Sequence, residues 1–170
     1  MKLIIFCGTP FSGKTVLSKK LSERFGFVRI DLDEVKSEML GDVADEVVTQ
    51  AQWDNVYGEM HGRIEDYLRE GKNVIQDAGN FTEYERDLVV KIGEKFGADI
   101  AIICVNILPE VAKARWLENK NSVARVDVGE EYIRDSQSRF EPPHGSNVLV
   151  VDGNLTVQEQ LKQIHDKFLK

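Results

Sequence analysis

Residues 2–15 read KLIIFCGTPFSGKT. An apolar run ending at Cys7 passes into a glycine-bounded loop. The loop then leads into a segment where Val16, Leu17, Leu21 and Phe25 recur at helical spacing until Gly26 stops it. Strand, loop and helix in that order give the eight residues GTPFSGKT, 8–15, the context that the pattern G-x-x-x-x-G-K-[ST] requires. Gly8 and Gly13 let the backbone wrap an anion, and the successive N–H groups and the helix N-terminus face its charge. The nucleotide-binding set is therefore Gly8, Thr9, Pro10, Phe11, Ser12, Gly13, Lys14 and Thr15. Lys14 is expected to bridge β- and γ-phosphates, and Thr15 to offer its hydroxyl to Mg²⁺. Pro10 and Phe11 are the unusual members of the loop. Phe11 either shields the phosphates or touches an acceptor, or it is a large exposed side chain tolerated at a variable position.

Outward from the loop, short apolar runs alternate with longer helical patterns, the signature of an α/β fold with parallel strands joined by crossover helices. Strands are predicted at 2–7, 27–30, 73–76, 99–105 and 147–151. Trp53, Tyr57, Met60, Ile64 and Tyr67 form a helical stripe read as core, as do Tyr84, Leu88, Ile92 and Phe96, and near the end Val157, Leu161, Ile164 and Phe168. Thr82 with Glu85, Asp127 with Glu130 and Thr156 with Glu159 are spaced as capping boxes. At 170 residues, with no repeat or linker, the chain reads as a single domain, 1–170. The polar stretch 117–129, with Lys120 and Arg125, reads as a surface lid segment.

A formal net charge of -7, from 22 Lys plus Arg against 29 Asp plus Glu, disfavours constitutive binding to nucleic acid or membranes. Cys7 and Cys104 lie inside apolar runs and read as small core hydrophobes, which fits a reducing, cytoplasmic setting. The opening apolar run is too short for a secretory signal, and no run approaches the roughly 20 residues that a membrane span needs.

A phosphate loop does not by itself separate a kinase from a GTPase or a motor ATPase, so the acids elsewhere decide. Asp31 and Asp33 follow the second strand in RIDLDEVK. On an extended chain they alternate across its faces; at a helix start one of them caps it. As a functional pair, one holds the metal shell while the other takes the proton of a substrate hydroxyl. Asp77 ends the third strand in NVIQDAGN, where a further metal carboxylate belongs.

GTPFSGKT, IDLDEVK and NVIQDAGN together resemble the polynucleotide-kinase-like branch of P-loop kinases, which includes chloramphenicol phosphotransferase and the zeta-toxin kinases. The resemblance implies a three-layer fold with a five-stranded parallel sheet in the order 2-3-1-4-5, ATP and Mg²⁺ as cofactors, and transfer of the γ-phosphoryl group to an alcohol. It makes Asp33 the general base and places Lys36 where the family often has an acceptor-binding Arg. In related shikimate-kinase-like enzymes an Asp-x-Asp sets the first acid near Mg²⁺, which Asp31 fits. Asn80 keeps the family's Asn after the third strand, to orient the acceptor, although a turn or cap role competes. Arg115 matches the cation that meets the transferring phosphoryl group, with Lys120 or Arg125 standing in for a second one, since Asn119 occupies its usual place. Arg139 and FEPPHG, 140–145, resemble a segment that passes near the adenine.

Two functions of different class follow. The first is an ATP-dependent phosphotransferase acting on a small molecule, with a polynucleotide 5′-hydroxyl as the alternative acceptor. The second is a regulatory nucleotide-binding NTPase. No Asn-Lys-x-Asp guanine-reading run is present, and the third strand ends in QDAG instead of the Asp-Glu of a motor ATPase.

Overall fold

The computed structural model describes residues 1–122 and 128–170. The strands are β1 (Lys2–Cys7), β2 (Val28–Asp31), β3 (Val74–Asp77), β4 (Asp99–Asn106) and β5 (Val148–Asp152). Between and after them run α1 (Lys14–Phe25), α2 (Leu32–Leu40), α3 (Gln50–Arg69), α4 (Glu83–Lys95), α5 (Pro109–Ser122), α6 (Glu130–Arg139) and α7 (Val157–Ile164). A 3₁₀ turn, Asp45–Val47, precedes α3. All pairings are parallel, and the sheet order is β2-β3-β1-β4-β5, as expected.

β1 lies at the centre because its residues are apolar on both faces, as a sheet covered on both sides demands. Leu3, Ile5 and Cys7 join a core with Val56, Met60, Ile64 and Leu68 of α3 and Val89 of α4. The alternate residues Ile4 and Phe6 face Leu17 and Leu21 of α1 and Leu161 and Ile164 of α7. Pairing of Cys7 with Cys104, and of Asp31 with Asp77, brings the strand ends level. Ligands of open α/β sheets bind at this carboxyl edge. Among the described residues no helix is long and apolar enough to cross a membrane.

Several expected details differ. In α4 the buried face runs through Arg86, Val89 and Gly93, and Tyr84 is 70% exposed. A Cβ on Gly93 would come within 2.9 Å of Ile100 and 3.0 Å of Leu3, so the missing side chain lets this face of the helix close on the sheet. In α1, Val16 is exposed while Leu17 and Leu21 are buried. The expected lid begins inside a helix, since α5 continues to Ser122. Asp127 and Arg125 lie outside the described residues, and the N-cap of α6 is Gly129, with no side-chain cap. The boxes at Thr82 and Thr156 form, and so does one at Thr49 with Gln52, a Thr-x-x-Gln spacing that sequence reading passed over.

Ile64→Ala removes a fully buried side chain from the core under β1 and β3. It is expected to lower unfolding free energy by about 2–5 kcal/mol. Urea denaturation checks this, and a loss below about 1 kcal/mol would mean the site collapses around the smaller side chain.

Candidate active site

The loop between β1 and α1 is held by glycine geometry. Gly8 has φ 140, and a Cβ there would sit 2.4 Å from the Val105 carbonyl oxygen. Gly13 has φ 103 at the N-cap of α1. Lys14 folds over the loop, its Nζ donating to the carbonyls of Gly8 at 2.7 Å and Thr9 at 2.8 Å. The ammonium thus already lies over the turn whose N–H groups are suited to phosphate. The Gly8 amide donates to the Gly79 carbonyl at 3.0 Å, which ties the loop to the turn after β3.

Phe11 is not the exposed side chain of the second sequence reading. It is 9% exposed, has φ 64, and packs with Trp116 of α5 and Ile133 of α6 while also lining the cavity described below. A left-handed aromatic residue is strained, and the apolar cluster holds it there. Arg115 lies on the same side, donating to the carbonyls of Phe11 at 3.1 Å, Ser12 at 3.3 Å and Gly153 at 2.9 Å. Lys120 is exposed, its Nζ 4.1 Å from the Trp116 ring centroid. The segment FEPPHG, 140–145, follows α6. The Glu141 amide donates to the Phe81 carbonyl, and the Glu141 carboxylate accepts from the Glu83 amide, so the segment lies on the turn between β3 and α4.

The paired strand ends hold a side chain that sequence reading missed. The side chain of Arg29 in β2 is 8% exposed and forms ion pairs with Asp31, Asp77 and Glu34, while its Nε donates to Ser18 of α1. Only its position two residues before Asp31, on the same strand face, could have signalled this. Burial pulls the Arg29 pKa down, but the charges of Asp77 and Asp31 outweigh it, and the net shift is upward. Burial and the Asp77 charge push the Asp31 carboxyl up, against the pull of Arg29 and the Glu34 amide.

The two acids of the first strand pair play different parts. Asp31 caps α2, its Oδ1 accepting from the Glu34 amide at 3.0 Å and its Oδ2 from Arg29. Both oxygens thus accept hydrogen bonds, while Asp31 also lines the cavity. Asp33 sits exposed in the first turn of α2 and lines the cavity. Lys36 does not line that cavity: it is buried, forms an ion pair with Asp45, donates to the Val43 carbonyl and lies over the Trp53 ring. Its charge fastens the chain between α2 and α3 where an acceptor contact was expected. Asn80, with φ 45, spends its amide on the Phe6 carbonyl at 2.6 Å and on a reciprocal pair with Gln76. That is the turn role, although Asn80 also lines the cavity.

One cavity of about 950 Å³ joins these parts. Pro10, Phe11, Gly13, Lys14, Thr15, Asp31, Asp33, Asp77, Asn80 and Arg115 all line it. Its far wall carries Trp53 and Tyr57 of α3, so the aromatic end of that helical stripe serves the cavity as well as the core. Burial pushes the Tyr57 phenol up, the charges of Glu85 and Asp33 add to this, and Arg139 opposes it.

The donor set suits Mg²⁺. Asp77 uses Oδ2 for Ser18 and Arg29, and Oδ1 has no partner among the described residues in a carboxylate that lines the cavity. Thr15 adds a hydroxyl at the start of α1. Two oxygen donors beside a phosphate loop are what a hard cation bound together with nucleotide phosphates takes from a protein.

Solved structures share this fold. A putative kinase from Chloroflexus aurantiacus J-10-fl superposes with a TM-score of 0.78 at 20% identity, covering 98% of each chain. The Mycobacterium tuberculosis APS kinase CysC, in complex with AMPPNP and APS, gives 0.69 at 15%, covering 99% of this chain and 98% of that one. A chain of the Pnkp1/Rnl/Hen1 RNA repair complex gives 0.70 at 19%, covering 81% of this chain and 43% of that one. No curated protein matches the sequence. The fold is that of P-loop kinases, and because residues 3–143 match the AAA domain model AAA_33, the chain belongs to that family.

Proposed function

We propose that the protein is an ATP-dependent phosphotransferase that moves the γ-phosphoryl group to a hydroxyl of a small molecule. One observation carries the reading: Asp33 lines the same cavity as Lys14, Thr15, Asp77 and Arg115, so a carboxylate able to take a proton shares the space beside the phosphate loop. A nucleotide switch has no use for such a base. A transferase needs both the base and the phosphate site.

In the proposed reaction Asp33 accepts the proton of the acceptor hydroxyl. The freed oxygen forms a bond to the γ-phosphorus while the bond to the β,γ-bridging oxygen breaks and ADP leaves. Lys14 releases the Gly8 and Thr9 carbonyls and turns to the phosphates, and Arg115, already on the loop backbone, offsets charge on the transferring group. Thr15 and Asp77 would hold Mg²⁺, which neutralises β- and γ-phosphate charge when bound. Arg29 keeps Asp77 in place from behind. The chain works as one domain in this proposal. A polynucleotide end is the weaker acceptor, because Asp45, Glu46 and Glu85 line the cavity alongside Asp33 and repel a phosphate backbone.

Coupled ADP release, measured across small alcohols, nucleosides, antibiotics and 5′-hydroxyl oligonucleotides, tests the reading. Asp33→Asn is expected to lower acceptor-stimulated kcat by about 10²–10⁴ while nucleotide affinity holds. ATP turnover that no acceptor stimulates and that survives Asp33→Asn would sink it. Chelating divalent cations with EDTA is expected to abolish turnover, and Mg²⁺ to restore it. Arg29→Ala leaves Asp31 and Asp77 buried without their counter-charge and is expected to cost about 3–5 kcal/mol of stability in urea melts. An unchanged midpoint would mean that water already screens the strand-end acids.

A further inference from the structure

The wall of the cavity away from the phosphate loop and Arg115 is built from aromatic rings and acids. Trp53 and Tyr57 stand with ring centroids 6.2 Å apart, and Tyr132 of α6 lines the same space. Around them are Asp33, Asp45, Glu46 and Glu85. Among the described residues the basic groups at this end have acid partners. Of the lining side chains, Arg139 pairs with Glu85 at 3.2 Å and Asp135 at 3.5 Å, and Lys19 pairs with Glu34 at 3.8 Å. Lys36 stands behind the wall in its ion pair with Asp45. Glu46 is exposed and has no ion pair among the described residues.

Among the described residues an anionic acceptor entering this space finds at this end only cations paired with acids, and it meets Asp33 and Glu46. A cation finds both acids and the rings of Tyr57 and Tyr132, beside a Trp53 ring that already carries the Lys36 ammonium on one side; rings and acids together hold ammonium groups. The volume is that of a small-molecule site, shared with the nucleotide's phosphate end. Resting on the kinase reading above, we infer that the acceptor is a cationic amino alcohol with a ring or other apolar body, its ammonium held between the rings of α3 and α6 and the carboxylate of Glu46. The hydroxyl to be phosphorylated then lies toward Asp33. Both neutral sugars and acids that share the same frame are discriminated against.

The test uses the full chain with matched cationic, neutral and anionic alcohols: glucosamine, glucose and glucuronate; 2-deoxystreptamine against myo-inositol; and phenylalaninol, 3-phenylpropanol and 3-phenyllactate. Two readouts are taken, ADP release with ATP and Mg²⁺, and tryptophan fluorescence titration with AMPPNP and Mg²⁺, which reports binding whether or not transfer occurs. The amine of a set is expected to exceed its neutral partner by about ten-fold in affinity and in kcat/KM. Glu46→Gln, an exposed substitution, is expected to shrink that ratio several-fold. Charge-selective binding without transfer would uphold the inference and sink the kinase reading. Transfer to neutral or anionic members at equal or better efficiency would leave the kinase reading standing and overturn the inference. So would equal binding across every set, or an amine preference that Glu46→Gln leaves untouched.

Discussion

The buried guanidinium of Arg29 holds the site's strand ends together. Its five N–H donors reach Asp31, Asp77, Glu34 and Ser18, so one side chain binds β2 to β3 and both to α1 and α2. A lysine has charge but not the fork, and could not span these partners from one position. Two neighbouring carboxylates buried without such a partner repel each other and lose hydration. The arrangement has a directional consequence. By occupying Oδ2 of Asp77, the guanidinium fixes the carboxylate and leaves Oδ1 for the cavity that Asp77 lines.

The other side of the site is fastened by apolar contact. Phe11 leaves the loop in a left-handed conformation and is received by Trp116 and Ile133. Arg115 meanwhile grips the loop's outer carbonyls and reaches Gly153. A Cβ on Gly153 would be 2.7 Å from the Ser12 carbonyl oxygen, so the chain after β5 also rests directly on the loop. The shape of the phosphate loop is thereby coupled to α5, α6 and the end of β5. Movement of α5 toward or away from the nucleotide must therefore pass through Phe11 and Arg115.

How much of this is legible in the sequence follows from the range of each interaction. The strand runs, the glycine loop and the Thr-x-x-Glu caps are local signals, and they place the sheet to within a residue at each strand. Asp31 and Asp33 look alike in sequence; what separates them is where the strand stops, since the residue at the boundary becomes the cap and the acid two residues on lies exposed in the first turn of α2. The contacts of Lys36 are not legible locally, because its partner, Asp45, lies across an irregular loop with no periodicity to announce the turn. Arg29 carries no motif: its meaning comes from β3, which is distant in sequence and adjacent only in the sheet. Tyr84 fits a helical stripe as well as Val89 does, and only the close approach at Gly93 decides which face is inward.

The same distinction explains why the donor half of the site can be read before the acceptor half. Phosphate is bound by backbone N–H groups at a helix start, so the contiguous residues that shape the backbone name the ligand. The opposite wall is made of side chains from α2, the 3₁₀ turn, α3, α4 and α6, each contributing one to three groups with no fixed spacing. Nothing in such a wall constrains the residues between its members, so substitutions there alter charge and shape while the strand, loop and helix that hold nucleotide stay intact. A family that shares its donor site can therefore differ in acceptor. In this chain the difference is written in the charges of that wall: Arg139 and Lys36 are spent on Glu85 and Asp45, and Glu46 has no such partner among the described residues.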